Sequence, residues 1–168
     1  GGHVAASTGT LPKHDEPGED MKISSVPNAM VLYNPVLITA EAKGLKTFGG
    51  DRLERLKKRL GVEAPTTLSP YHNIRKGLPS SLVIHGRGDT TVPFLTAEMF
   101  VKQSVKAGLR SELAGYEDMP HGFFNLGRYD NKMFLATVTR MHEFLKSLGY
   151  VKGKPTVDRF LKRLAKGK

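Results

Sequence analysis

The sequence SLVIHGRGDTTVP, residues 81 to 93, contains a change of pattern from which the architecture of this chain can be predicted. Its first part, SLVIH, is a short, mainly apolar run typical of a buried strand, and GRGD then interrupts it sharply. Pro93 follows, and proline is common in the first turn of a helix. The stretch therefore predicts a strand, a loop and a helix in that order, with the helix extending to about Ala107.

The same alternation continues in both directions along the chain. A further strand is predicted over 29–33, a compact apolar run closed by Asn34 and Pro35, and another over 111–116, after the helix that ends at Gly108. Helices are predicted over 2–10, 52–60 and 133–148, ended or capped by glycines: Gly9 ends the first, Gly49 and Gly50 with Asp51 cap the second, and Gly149 ends the third. The many small residues of the first helix favour very close packing on a neighbouring element. Short buried strands that alternate with helices predict an α/β fold with a parallel sheet.

Length and composition exclude several classes of protein. The chain has 168 residues and a net charge of +10, which suits a single soluble domain or most of one. No run approaches the 18 or so consecutive apolar residues of a membrane span, so we expect none. The absence of cysteine excludes disulfides, a thiolate nucleophile and Cys-containing zinc sites, while it leaves the compartment open.

The positive charge is concentrated at the C-terminal end. Residues 151–168 hold seven Lys and Arg side chains against one Asp, which accounts for +6 of the net charge. Apolar residues in this basic tail recur at helical spacing, at Val157, Phe160, Leu161 and Leu164, so an amphipathic helix is predicted. We expect its apolar stripe to pack on the domain and its charges to be solvated. Nucleic acid is not an expected partner, because no recognised binding motif accompanies the charge.

Two side chains of the predicted loops suit acid–base chemistry. Asp89 follows one strand and His121 follows the next, and loops at the carboxyl ends of neighbouring parallel strands lie side by side. A carboxylate that accepts a hydrogen bond from one imidazole nitrogen leaves the other nitrogen to take a proton from a nucleophile. Either residue alone is explained as a turn or structural residue; together they make two of the three members of a triad.

Three motifs carry a resemblance to a known family. The run HGRGDTTVP, residues 85 to 93, is similar to the H-G-x-x-D-x-x-V-P acid loop of α/β-hydrolase esterases, and PHGFFN, residues 120 to 125, resembles their histidine loop. The start of the chain, GGHVAA, resembles the second half of the nucleophile elbow G-x-S-A-G-G-H-x-A-A in the esterase and lipase branch that includes acetyl-xylan esterase-like enzymes. The three motifs occur in the order of that family, and the resemblance covers about residues 1 to 150.

The resemblance implies where the rest of the site lies. The nucleophilic serine would precede Gly1 by two residues, and Gly1 and Gly2 are the remnant of the elbow. Restoring the front of the fold would take on the order of 100 residues. We therefore expect residues 1–150 to be the C-terminal part of an α/β-hydrolase domain, with its N-terminal half as partner and 151–168 as an appended tail. The chain alone is expected to be inactive, and any leader peptide would lie in that front part.

The resemblance also implies roles for the residues that are present. Asp89 would orient the imidazole, His121 would act as general base and then general acid, and Phe123, Phe124 and Asn125 would wall the substrate pocket. His85, beside the acid, is predicted to be a strand-end residue bound to backbone. No cofactor is expected, and no metal site, because the histidines lack the spacing of metal ligands.

The function implied is hydrolysis of carboxylic esters, either small short-chain esters or carbohydrate-linked ones, through serine, Asp89 and His121. Two alternatives stay open. One is a prolyl-oligopeptidase-like serine peptidase, whose acid and histidine loops are similar. The other is a non-catalytic scaffold that binds an anionic partner through its basic tail.

Overall fold

The computed structural model describes residues 1–11, 16, 18–20, 22–45, 54–55, 58–59, 61 and 65–167. Within them the chain divides into two compact units, Gly1–His121 and Gly122–Lys168. The helix predicted over 52–60 and its cap at 49–51 lie outside the described residues, apart from positions 54–55 and 58–59, which are helical.

A three-stranded parallel sheet forms the centre of the first unit. The strands are β1 (Ala29–Tyr33), β2 (Ser80–Gly86) and β3 (Ser111–Tyr116), in the order β1-β2-β3. Register pairs Tyr33 of β1 with Ile84 of β2, so both strands reach the same edge of the sheet. β2 is almost wholly buried, as a central strand covered on both faces must be. The prediction of an α/β fold with a parallel sheet is confirmed.

The first helix packs against β1 as closely as its small residues predict. Helix α1 spans Gly2–Thr10, and a Cβ built on Gly9 would lie 2.5 Å from the sulfur of Met30. The expectation that Gly9 ends the helix is wrong, because the helix continues to Thr10, whose hydroxyl donates to the carbonyl of Ala6. Gly9 is needed for close approach to the strand, and helix termination falls one residue later.

Helix α2 (Phe94–Lys106) connects β2 to β3. It begins directly after Pro93, as predicted, and the chain then turns at Gly108, which has the left-handed φ of +79° that glycine adopts without strain. Its buried face includes Ala97 and Phe100, which belong to the hydrophobic core together with Leu32 of β1. The β2-α2-β3 unit is therefore a parallel crossover, and it brings the ends of β2 and β3 to one edge of the sheet.

The second unit contains two helices, α3 (Lys132–Ser147) and α4 (Val157–Lys166). The prediction of a helix in the basic tail is confirmed. Its apolar stripe is covered only in part: Val157 is buried, whereas Phe160 is 41% exposed although its ring lies 6.3 Å from that of Phe134. None of the helices in the described part of the chain has the length and apolarity that a bilayer crossing requires.

Candidate active site

Asp89 lies at the carboxyl edge of the sheet, three residues beyond the end of β2. Its Oδ1 accepts hydrogen bonds from the backbone N–H groups of Thr91 (2.8 Å) and Val92 (2.9 Å). The Asp89 side chain has no solvent exposure. A turn that folds back on its own aspartate in this way holds the carboxylate in one orientation and leaves Oδ2 to face the neighbouring loop.

His121 meets Asp89 from the loop after β3. Its Nδ1 lies 2.8 Å from Asp89 Oδ2, and 44% of the His121 side chain is exposed. The prediction that these two side chains come together is confirmed. Because the carboxylate only accepts, Nδ1 carries the proton, and the lone pair of the imidazole is on Nε2. The arrangement is that of a buried acid and an accessible base.

Backbone contacts between the two loops set this distance. The N–H of Arg87 donates to the carbonyl of Tyr116 (2.9 Å), and the N–H of Gly88 donates to that of Met119 (3.1 Å). A Cβ on Gly86 would overlap the carbonyl oxygen of Met119. The glycines of the acid loop therefore permit backbone-to-backbone packing two residues before the histidine.

Asn34, the residue that follows β1, also belongs to this cluster. It is buried, and its Nδ2 donates to Asp89 Oδ2 at 2.9 Å. The same nitrogen lies 3.5 Å from His121 Nδ1. The one signal in the sequence is that Asn34 follows β1 as Asp89 follows β2, which brings both to the same sheet edge but does not indicate contact between them.

His85 occupies the inner side of the carboxylate. Its Nε2 donates to the carbonyl of Val92 (2.9 Å) and lies 3.3 Å from Asp89 Oδ2. The prediction of a backbone-bound strand-end histidine is confirmed. Burial lowers the pKa of His85 below its usual 6.5, against the opposing effect of Asp89 and the Val92 carbonyl. His85 is therefore neutral near pH 7, and the carboxylate is flanked by one buried neutral imidazole and one accessible imidazole.

The other predicted site residues lie on either side of this cluster in the chain. Gly1 is the N-cap of α1, and Gly2 is its first helical residue. Phe123, Phe124 and Asn125 belong to the second compact unit, where Phe123 is buried, Phe124 is half-buried in edge-to-face contact with it, and Asn125 is exposed. Their role as a pocket wall stays a prediction. The described residues contain no group of three side chains suited to hold a metal ion.

Solved structures of one esterase resemble this chain closely. The native form of a thermophilic esterase, Est2, from the planctomycete Thermogutta terrifontis is 47% identical with a TM-score of 0.82, over 92% of this chain and 54% of that one. Its propionate-bound form is 45% identical with a TM-score of 0.81, over 92% of this chain and 55% of that one. Its form phosphonylated by sarin is 47% identical with a TM-score of 0.83, over 92% of this chain and 56% of that one. This chain thus spans about half the length of these esterase chains. No protein-family model and no curated protein matches it.

Proposed function

We propose that this chain is the C-terminal part of an α/β-hydrolase and that the full-length protein is a serine hydrolase that cleaves carboxylic esters. The observation that carries the proposal is the pair formed by buried Asp89 and accessible His121, with 2.8 Å between Oδ2 and Nδ1 at the carboxyl edge of a parallel sheet. An acid and a histidine in successive strand-end loops, in that order, are the last two members of the α/β-hydrolase triad.

The nucleophile is a serine two residues before Gly1, at the elbow that leads into α1. In the first half-reaction His121 Nε2 takes the proton of the serine hydroxyl as the oxygen attacks the ester carbonyl. Asp89 stabilises the resulting imidazolium. The imidazolium then gives its proton to the departing alcohol, which leaves an acyl-enzyme. Water then attacks the acyl carbon as His121 takes its proton. The bond between the acyl carbon and the serine oxygen breaks, the serine regains the proton, and the carboxylic acid is released.

The start of α1 supports the same chemistry. Helix α1 has nine residues and begins at Gly2 with Gly1 as its N-cap, so its amino end would follow the proposed serine closely. The partial positive charge of a helix N-terminus favours an anion there, as develops on the carbonyl oxygen in the tetrahedral intermediate. A Cβ on Gly2 would lie 2.9 Å from the Cα of Pro35, so the absence of a side chain lets this end of the helix approach the loop after β1.

Esters of short carboxylic acids are the proposed substrates. The Thermogutta terrifontis esterase has been solved with propionate and with butyrate bound, and it is 45% and 46% identical to this chain in those structures. We extend the same acyl length to the full-length protein. Carbohydrate-linked esters of such acids fall in the same class of reaction.

The first test is the coding sequence immediately upstream of Gly1. The expected reading is glycine, any residue, serine and alanine, which completes the elbow. The full-length protein should then hydrolyse p-nitrophenyl butyrate and should be labelled once by paraoxon on that serine, as seen by mass spectrometry. The Thermogutta terrifontis esterase has been solved phosphorylated by paraoxon. An upstream sequence without the serine would overturn the proposal and favour a non-catalytic scaffold.

The second test removes the base. His121→Ala should lower kcat by several orders of magnitude, because serine and histidine act as a unit. The matched control is His142→Ala, which removes a half-buried histidine of α3 and should leave turnover near that of the parent. Turnover of His121→Ala close to that of the parent would contradict the mechanism.

A further inference from the structure

Asp89 Oδ2 receives hydrogen bonds from two side chains. His121 Nδ1 lies 2.8 Å away and Asn34 Nδ2 lies 2.9 Å away. Asn34 is 55 residues distant in sequence and is brought to the carboxylate by the pairing of β1 with β2. The oxygen that faces the imidazole is thus shared with a neutral amide donor.

A neutral donor at this place has a distinct electrostatic effect. Two backbone N–H groups already bind Oδ1, so Asn34 completes the restraint on the second oxygen. An amide stabilises the ionised carboxylate without adding a positive charge that would repel an imidazolium on His121. His85, the other imidazole beside this carboxylate, is buried and neutral. Among the described residues, every partner of Asp89 other than His121 is therefore uncharged near pH 7.

The backbone of Asn34 adds a second requirement that must be separated from the first. Its φ is +40°, in the left-handed region that asparagine and glycine tolerate better than other residues. Its N–H also donates to the carbonyl of Ile84 at 2.9 Å. A glycine at this position would keep the turn and the backbone bond but would lack the amide.

The geometry points to Asn34 as a positioning residue of the relay: its amide holds Asp89 Oδ2 toward His121 and limits how strongly the carboxylate attracts a proton on the imidazole. This inference rests on the proposed function, since it assigns Asn34 to the triad of that same site. Removal of the amide should leave a more basic carboxylate, and replacement by aspartate should add a second negative charge beside Nδ1.

The test compares Asn34→Gly and Asn34→Asp in the full-length protein. We expect kcat to fall by about tenfold or more in both variants, as loss of a supporting hydrogen bond behind a functional group does, with KM little changed. The acidic limb of kcat/KM, which reports the base of the free enzyme, should move to higher pH in both. The shift should be larger for Asn34→Asp, about one pH unit or more, because a carboxylate then lies within a few ångströms of the imidazole.

Asn131→Gly is the matched control. Asn131 is also left-handed, with φ of +63°, and its Oδ1 accepts from the N–H of Gly127 in the second unit. Its replacement should leave kcat and the acidic limb unchanged. If Asn34→Gly matches the parent in both respects, Asn34 only provides the backbone turn and the inference fails. A loss of kcat without movement of the limb would also overturn it, because that is the result of a purely structural role.

A measurement that needs no turnover separates this inference from the proposed function. The pKa of His121, followed by the 15N shifts of labelled histidine, should rise in Asn34→Gly and Asn34→Asp even if the parent hydrolyses no ester. If the parent does not hydrolyse esters but the pKa of His121 rises in the variants, only the proposed function is contradicted. If the parent hydrolyses esters but that pKa does not rise, only the role of Asn34 is contradicted. If Asn34→Gly fails to fold by circular dichroism, Asn34→Asp keeps the side-chain volume, and the absence of a rise in that variant overturns the inference.

Discussion

The carboxyl edge of the sheet and the basic tail differ in how charge is used. The tail, residues 151–168, carries +6 of the net charge of +10, and Lys162 there pairs with Asp158 through side chains that are 72% and 57% exposed. At the sheet edge the Asp89 side chain is fully buried, and its carboxylate receives two backbone and two side-chain hydrogen bonds. The tail holds its charges in water, whereas the sheet edge encloses the charge of Asp89.

The difference follows from solvation. Exposed ion pairs gain little because water and salt screen them and because two long side chains must be ordered. A buried carboxylate has lost its water and must recover that free energy from donors fixed by the fold. We therefore expect single substitutions to have large effects at the sheet edge and small effects in the tail.

The largest effect is expected at the carboxylate itself. In the full-length protein Asp89→Asn should lower kcat by about 10,000-fold, because an amide can present N–H to the imidazole and select the wrong tautomer. Initial rates with p-nitrophenyl butyrate measure it. Asp158→Asn, which neutralises an acid of the tail instead, should retain the parental rate. If kcat of Asp89→Asn falls by less than tenfold, the sheet edge is no more sensitive to substitution than the tail.

The next largest effect is expected at Gly86, where the acid loop packs against the backbone of the histidine loop. Gly86→Ala places a Cβ on the carbonyl oxygen of Met119 and forces the acid and histidine loops apart. The free energy of unfolding should fall by about 1–3 kcal/mol, the usual cost of overpacking, and kcat should fall with it. Urea unfolding provides the measurement. In Gly167→Ala, near the end of the tail, the new Cβ lies no closer than 3.7 Å to another group, so unchanged stability is expected there.

A smaller effect is expected from acidification. The pKa of His85 is lowered by burial in the folded state, so between that value and 6.5 the unfolded chain binds more protons than the folded one. Stability therefore rises with pH in this window and is lost as pH falls below about 6.5, by at most about 1.4 kcal/mol per pH unit for one group.

His85→Gln should remove this component of the pH dependence, because glutamine keeps a donor for Val92 but does not titrate. Urea midpoints measured from pH 7 to pH 5 in the parent and in the variant isolate it. His142→Gln on α3 serves as the control and should follow the parent. If the urea midpoints of His85→Gln and the parent change equally with pH, the burial of His85 does not lower stability in acid.

The smallest effect is expected in the tail. The Lys162 ammonium donates a hydrogen bond to the Asp158 carboxylate, and this contact raises the pKa of Lys162. Both side chains are exposed to water. Lys162→Gln should leave the thermal midpoint and kcat within experimental error of the parent, because an exposed pair contributes little. A clear loss of stability would mean that the tail depends on this pair and would narrow the difference between the two regions.

The sequence allowed most of the sheet edge to be predicted, for identifiable reasons. The bounds of β1 follow from an apolar run closed by turn residues, and Asp89 and His121 could be placed together because parallel strands end at one edge. Asn34 could not be assigned to the site, since an asparagine before a proline after a strand is typical of any turn. Its contact with Asp89 depends on the register that pairs Tyr33 with Ile84, which composition does not determine.

Gly9 illustrates a different limit of prediction. Glycine near the end of a helix fits both a helix terminus and a close contact, and the two uses have the same sequence pattern. The contact with Met30 distinguishes them only in three dimensions. Patterns along the chain therefore predict elements better than they predict what each element touches.

The wide sequence spacing of the cluster has a consequence for how the protein folds. His121 lies 32 residues from Asp89 and Asn34 lies 55 residues from it, so their contacts form only after two long loops have closed. Closure of such loops costs entropy before any contact compensates for it, which makes non-local pairing slow. Helices can form early during refolding, but the relay requires both strand pairings. In the full-length protein, recovery of the proposed hydrolytic activity should therefore lag behind recovery of helical circular dichroism.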